Sequence, residues 1–232
     1  NVGQVGVPDT RLDKLAETAK SAKIIPTQLS FVDIAGLVRG ASKGEGLGNK
    51  FLGNIREVDA VVHVLRCFEN DDIQHVENKV DPIADAETVE TELLLSDLES
   101  LEKRVPAAQK KAAQGDKEMK IAASVLGQAL ELLRDGKPAR LTKPADEEEE
   151  RVFRQAQLLT AKPVLYVCNV EEEAAAEGNA FSARVFEKAA AEGASAVIVS
   201  AAIEAELTGM DIGERMAFLE EMGLNETGLA RI

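Results

Sequence analysis

The stretch FVDIAGLVRGASKGEGLG, Phe31 to Gly48, decides the fold class. Its apolar start predicts a strand that delivers Asp33 to its carboxyl end, where ligands bind in open α/β sheets, and Gly36 follows three residues later. That is the D-x-x-G spacing of nucleotide switches. The carboxylate can hold Mg²⁺, usually through a water, and the glycine N–H can reach a γ-phosphate. Asp33 and Gly36 are therefore the candidate catalytic residues, and Asp33 the candidate metal ligand. Gly36, Gly40, Gly44, Gly46 and Gly48 fall within thirteen positions, which makes the loop too pliant to serve packing. It is expected to move on a ligand.

Outward from this loop, short β-branched runs alternate with helical stretches. The runs are VGQVGV (Val2 to Val7), IIPTQLSFVD (Ile24 to Asp33), AVVHVLRC (Ala60 to Cys67), PVLYVCN (Pro163 to Asn169) and AVIVS (Ala196 to Ser200). Several are apolar on consecutive positions, which implies a sheet covered on both faces. Helices are predicted at Arg11 to Lys20, Leu47 to Glu57 and Phe181 to Glu192. The alternation predicts a parallel, doubly wound α/β sheet.

The middle of the chain follows another rule. From Asp85 to Arg134 it is rich in Ala, Leu, Glu and Lys, with Leu94, Leu98, Leu101 and Val105 at coiled-coil spacing and Leu126, Leu130 and Leu133 repeating it. Gly115 and Asp116 lie between as a turn. An antiparallel helical hairpin is predicted, the two leucine sets facing each other and the lysines outward. A further helix, Asp146 to Thr160, opens on an acidic run suited to a helix N-terminus. The organisation read from these patterns is 1–84 and 161–232 as two parts of one α/β domain, with 85–160 inserted between them.

Two more motifs stand at strand ends. NVEE, Asn169 to Glu172, follows PVLYVC and occupies the place of the N-K-x-D that reads guanine. In that pattern the Asp carboxylate accepts from two guanine donors and the Lys stem covers the base. Val170 replaces the Lys and Glu172 is one methylene longer than Asp, so guanine reading should be impaired. AVIVS ends in Ser200, Ala201 and Ala202, a loop whose backbone N–H groups suit a base edge. Asn169, Val170, Glu172, Ser200, Ala201 and Ala202 are the candidate nucleotide-binding residues.

In this order the motifs resemble the Obg family of P-loop NTPases. DIAGLVRGASKGEGLGNKFLGNIREVDAVVHVLRCFE looks like its second switch loop and the following strand, and GEGLGNKFL is similar to the YchF subgroup in particular. The resemblance implies N-x-x-E at the base, ATP preferred to GTP, Mg²⁺ as cofactor, hydrolysis, and the ribosome as partner, engaged through the helical hairpin. RNA contact is a further possibility that it opens. In Ras-like switches a glutamine beside the D-x-x-G orients the attacking water. Leu37 stands there in this chain, as in the family, so another group must place the water.

G-x-x-x-x-G-K-[ST] does not occur in the sequence. By the resemblance, the phosphate loop, the first helix and a Mg²⁺-binding Thr would precede Asn1. GLNETGLARI is similar to the point where the family enters a TGS-type domain. The expectation is a fragment, inactive by itself, of a longer ATPase.

Composition narrows the alternatives. A net charge of −14 disfavours a nucleic-acid surface spread over the whole chain. It leaves room for a local patch, Lys103-Arg104 with Lys110-Lys111 and Lys117-Lys120, for which a solvated helix face is the plainer reading. No apolar run approaches the roughly 20 residues of a membrane helix, and the expected location is cytoplasmic. Cys67 and Cys168 lack metal or redox spacing and read as buried small side chains. His63 reads as a packed strand residue, and His75 has no assignable mechanism. Two other functions fit the same patterns: a GTP-specific Obg-type GTPase, and a helical interaction module on an α/β scaffold.

Overall fold

The computed structural model describes residues 1–7, 9–34, 47–73 and 79–232. In chain order the elements are β1 (Val2–Gly6), α1 (Thr10–Ala19), β2 (Gln28–Val32), α2 (Leu47–Glu57), β3 (Val61–Arg66), α3 (Pro82–Ala113), α4 (Lys117–Arg134), α5 (Glu147–Gln155), β4 (Val164–Asn169), α6 (Ala180–Glu192), β5 (Ser195–Val199), α7 (Ala201–Leu207), α8 (Ile212–Glu221) and α9 (Gly228–Arg231).

β3, β4 and β5 form a parallel sheet in that order, with Leu65 opposite Cys168 and Cys168 opposite Ile198. Helices α3 and α6 cover one face, burying Leu65, Cys67, Tyr166, Cys168 and Val185 in one cluster. Covering on both faces, implied by the consecutive apolar runs, holds for the central strand β4, where Tyr166, Val167 and Cys168 are all buried. It does not hold for β3, whose Val62 and Val64 are exposed. Among the described residues β3 is an edge strand, paired with β4 alone.

The first two strands depart from the all-parallel expectation. β1 and β2 pair antiparallel as a separate two-stranded sheet, Val2 opposite Val32 and Gly6 opposite Gln28. The helix between them buries no residue, so it does not act as the crossover of a parallel unit. The hairpin-like return closes with the Val7 N–H donating to the Thr27 carbonyl at 2.8 Å. Ile34, just beyond β2, packs against Leu52, Ile55, Leu93 and Leu159. That contact anchors the end of β2 to the body of the molecule.

The inserted hairpin forms as predicted. Asp81 caps α3 with Pro82 at its first position, and Asp116 caps α4 by accepting from the Met119 N–H at 3.1 Å. Gly115 turns the chain between the helices at φ +95°, a conformation that favours glycine. Leu101, Leu126, Leu130 and Leu133 are buried in one cluster with Leu94 and Leu98 packed against it, so the two leucine sets meet across the pair. Each such side chain, fully buried, contributes about 1.5–3 kcal/mol.

The helix predicted from Asp146 to Thr160 is shorter. It runs Glu147 to Gln155, capped by Asp146, and ends as Gln157 takes φ +55°. The reason lies on another element. Buried Asp97 of α3 accepts hydrogen bonds from the Leu159 and Thr160 N–H groups at 2.9 and 2.8 Å and from the Thr160 hydroxyl at 2.7 Å. Those donors are thereby withdrawn from helical pairing, and a short 3₁₀ turn, Leu159 to Ala161, leads into β4.

Candidate nucleotide site

The carboxyl ends of β4 and β5 bring NVEE and the Ser200–Ala202 loop side by side. Asn169 closes β4, and its Oδ1 accepts from the Ala201 N–H at 2.9 Å, while the Val170 N–H donates to the Val199 carbonyl at 3.0 Å. Neighbouring parallel strands have aligned ends, so their two loops open at one rim, the position at which open α/β sheets take ligands. Glu172 begins a short 3₁₀ turn, Glu172 to Ala174, and is exposed at that rim. Ser200 is buried, and its hydroxyl has no hydrogen-bond partner among the described residues. Ala201 and Ala202 are exposed at the start of α7.

Val170 is placed otherwise than its position in the motif suggested. It is 3% exposed and packs with Cys67, Tyr166 and Ala174 under the loop. A lysine there would have its stem in the core rather than over a base, so the difference from N-K-x-D at this position is also one of packing.

Asp33 stands directly after β2, exposed, with its N–H donating to the Asn1 carbonyl at 2.8 Å. Gly36, Leu37, Gly40, Gly44 and Gly46 lie outside the described residues, as does His75. Gly48 belongs to the first turn of α2. Among the described residues no group of three or more His, Cys, Asp or Glu side chains could hold a metal ion. Mg²⁺ in nucleotide sites takes one or two carboxylates and completes its shell with phosphates and water. A single exposed carboxylate at a strand end, as Asp33 is, suits that role.

An open cavity of about 450 Å³ lies beside the NVEE loop, walled by Phe68 and Glu69 after β3, by Glu171 and Glu173, and by Asn179 and Phe181 at the start of α6. Asn179 and Glu171 were not singled out by their sequence context. The signal that could have found Asn179 is the N-x-x-S spacing of a capping box, which the structure forms with Ser182.

Behind the site a polar network crosses the core. The single tyrosine, Tyr166, donates its hydroxyl toward Glu90 of α3 and Glu192 of α6, the latter at 3.0 Å. Lys188 pairs with Glu90 at 2.8 Å and Glu192 at 2.5 Å, and Arg140 reaches Glu192 at 2.6 Å. Burial and the Glu90 carboxylate push the Tyr166 hydroxyl well above its ordinary pKa. For Lys188, burial works against the charge, but hydrogen bonds to Glu192 and Glu90 outweigh it and raise the pKa. The network links β4, whose end carries Asn169, to α3, the long helix of the inserted hairpin.

Both cysteines are buried free thiols. The hydrogen bond that Cys67 donates to Cys168, together with burial, pushes the Cys67 thiol up, leaving it neutral and unsuited to nucleophilic work. His63 is half-buried, its ring 5.8 Å from that of Tyr166, and burial lowers its pKa to about 4. It is a packed strand residue, as read from the sequence.

The chain is similar to known proteins over its whole length. The profile of a family described as "50S ribosome-binding GTPase" matches residues 10–96. Over its whole length the chain is 50% identical to the Haemophilus influenzae protein named "Ribosome-binding ATPase YchF", covering 63% of that protein. It is 47% identical to the Bacillus subtilis protein of the same name, covering 64% of it. The solved structure titled "Structure of the Schizosaccharomyces pombe YchF GTPase" superposes with a TM-score of 0.81 at 32% identity, over 99% of this chain and 63% of that one. The chain thus spans a little under two thirds of the length of these relatives.

Proposed function

We propose that the chain is part of a YchF-type nucleotide-dependent switch that binds and hydrolyses ATP, takes GTP less well, and associates with the ribosome in the cytoplasm. The observation that carries the reading is the Asn169 to Ala201 hydrogen bond, which sets the NVEE and Ser200–Ala202 loops at one rim with Glu172 exposed between them and solvent. The Ala201 N–H is committed to Asn169. The donor left for a base edge is the Ala202 N–H at the first turn of α7, whose leading N–H groups lack helical partners.

A base choice follows from chemistry. Guanine offers two adjacent donors to a carboxylate, whereas adenine offers one donor beside an acceptor. Glu172, longer than Asp and carried on a turn, is poorly set for the guanine pair, and adenine meets the backbone of the Ser200–Ala202 loop. Asp33 and Gly36 serve the phosphate end, the loop Leu37 to Gly48 acting as the switch. Mg²⁺ would be held by Asp33, and when bound it neutralises charge on the phosphates. Residues 85–160 form an arm whose exposed lysines offer positive charge to an anionic partner such as ribosomal RNA.

Titration of ATP and GTP into the intact protein by calorimetry, with ATP turnover measured with and without ribosomes, tests the proposal. Tighter ATP binding and turnover above background are expected. Absence of binding by either nucleotide would overturn it. The names of the matched family profile and of the fission-yeast relative favour a GTPase as the second reading, and tighter GTP binding in the same titration would select it.

A further inference from the structure

We infer that Asn179 is a positioning residue for nucleotide selection, a role that rests on the function proposed above. Its side-chain amide faces two ways. The oxygen accepts from the N–H groups of Phe181 and Ser182, both at 3.0 Å, and so caps α6. The nitrogen donates to the Cys67 carbonyl at 2.6 Å and lies 3.1 and 3.0 Å from Glu171 Oε1 and Oε2.

The second set of contacts has no part in capping. Cys67 directly follows β3 and immediately precedes Phe68, which forms one wall of the 450 Å³ cavity, and Glu171 immediately precedes Glu172 and lies in the other wall. One amide nitrogen therefore fixes the spacing between the end of β3 and the NVEE loop. Its own placement is tightly held. The Asn179 N–H donates to Ser182 Oγ at 2.8 Å. Gly178 before it has φ +81°, and a Cβ there would come within 2.5 Å of Ser182 Oγ and 2.8 Å of Ile198 Cδ1. A carboxylate that must discriminate donors from acceptors on a base gains selectivity only when its loop cannot adjust to either one. Asn179 supplies that rigidity from outside the four-residue motif.

The two roles of the amide are chemically separable. Asn179→Asp keeps the capping oxygen, since Asp and Asn are equally good caps, but sets a carboxylate against the Cys67 carbonyl and Glu171. Asn179→Ser also retains a capping oxygen, without added charge and without the reach to Glu171. ATP and GTP are titrated calorimetrically into the intact wild-type protein and each variant, with thermal melts run alongside. Both variants are expected to lose about fivefold or more in affinity for the preferred nucleotide, and to narrow the ATP-to-GTP ratio, while melting within a few degrees of wild type. The double variant N179D/E171Q exchanges donor and acceptor across the Glu171 contact, and it should recover part of the ratio lost in N179D. If N179D and N179S bind both nucleotides within about twofold of wild type, the inference is overturned while the function stands. Wild type that binds neither nucleotide removes the function and this inference together.

Discussion

Asn169 and Ala201 are 32 residues apart and joined by one hydrogen bond, Ala201 N–H to Asn169 Oδ1 at 2.9 Å, which ties the end of β4 to the loop after β5. Asn169→Ala should free the two loops from each other. Stability should fall by only about 1 kcal/mol, the net worth of a typical hydrogen bond, while nucleotide affinity falls about tenfold or more. Asn169→Asp retains an acceptor for Ala201 and should lose less. Paired calorimetric titration and thermal melts check this, and equal affinity in Ala and Asp variants would show that the tie does not organise the site.

Base choice is tested at Glu172. The buried position of Val170 rules out pairing it with a lysine, because the charge would be forced into the core. Glu172→Asp alone, on an exposed turn, should leave the fold intact and shorten the carboxylate toward the guanine-reading length. GTP binding is expected to gain about three- to tenfold relative to ATP, on the scale of one improved hydrogen bond. An unchanged ratio would mean that Glu172 does not contact the base.

The hairpin tip carries Lys110, Lys111, Lys117 and Lys120, all exposed, and none pairs with a carboxylate among the described residues. Reversing all four to Glu should weaken association with ribosomes and flatten its salt dependence, because fewer counterions are released on binding. ATP affinity should not change. Sedimentation with ribosomes across a salt series measures the effect, and an unaltered slope would take the patch out of the interface.

Asp97 supports the entry to β4. Asp97→Ala leaves the buried Leu159 and Thr160 N–H groups and the Thr160 hydroxyl without their acceptor. The expected loss is about 3–5 kcal/mol, since each stranded donor costs about 1–3 kcal/mol and partial rehydration offsets some of it. Asp97→Asn keeps one acceptor oxygen and should cost less. Denaturant unfolding of both variants decides it, and a loss below about 1 kcal/mol for the alanine would contradict the assignment.

Stability should also respond to pH through His63. Burial, with a smaller contribution from nearby Lys188 and against that of Asp85, lowers its pKa in the fold from 6.5 to about 4. The neutral ring is thus favoured in the folded state. Its contribution is complete above pH 6.5 and is lost as pH falls toward 4, where the unfolded chain takes the proton first, the loss amounting to at most about 3 kcal/mol. His63→Phe, which keeps a ring against Tyr166, should flatten the stability curve across that window. A curve of the same slope in the variant would assign the pH response to other groups.

Much of this molecule is written in short-range signals. β-branched runs placed the five strands of the described residues to within a few positions, leucine spacing with Gly115 and Asp116 placed the hairpin and its turn, and Asp33, NVEE and Ser200 fell at strand ends. These features depend on neighbours along the chain: dihedral preferences, caps, and the periodicity of one buried face. Other features depend on partners that no spacing discloses. The antiparallel pairing of β1 with β2, the early end of α5 imposed by Asp97, the inward turn of Val170 and the charged network around Tyr166 each required the folded chain. Asn179 shows why: its amide meets Cys67 from 112 positions away, and only the packing of α6 against β3 and β4 brings that donor to that carbonyl.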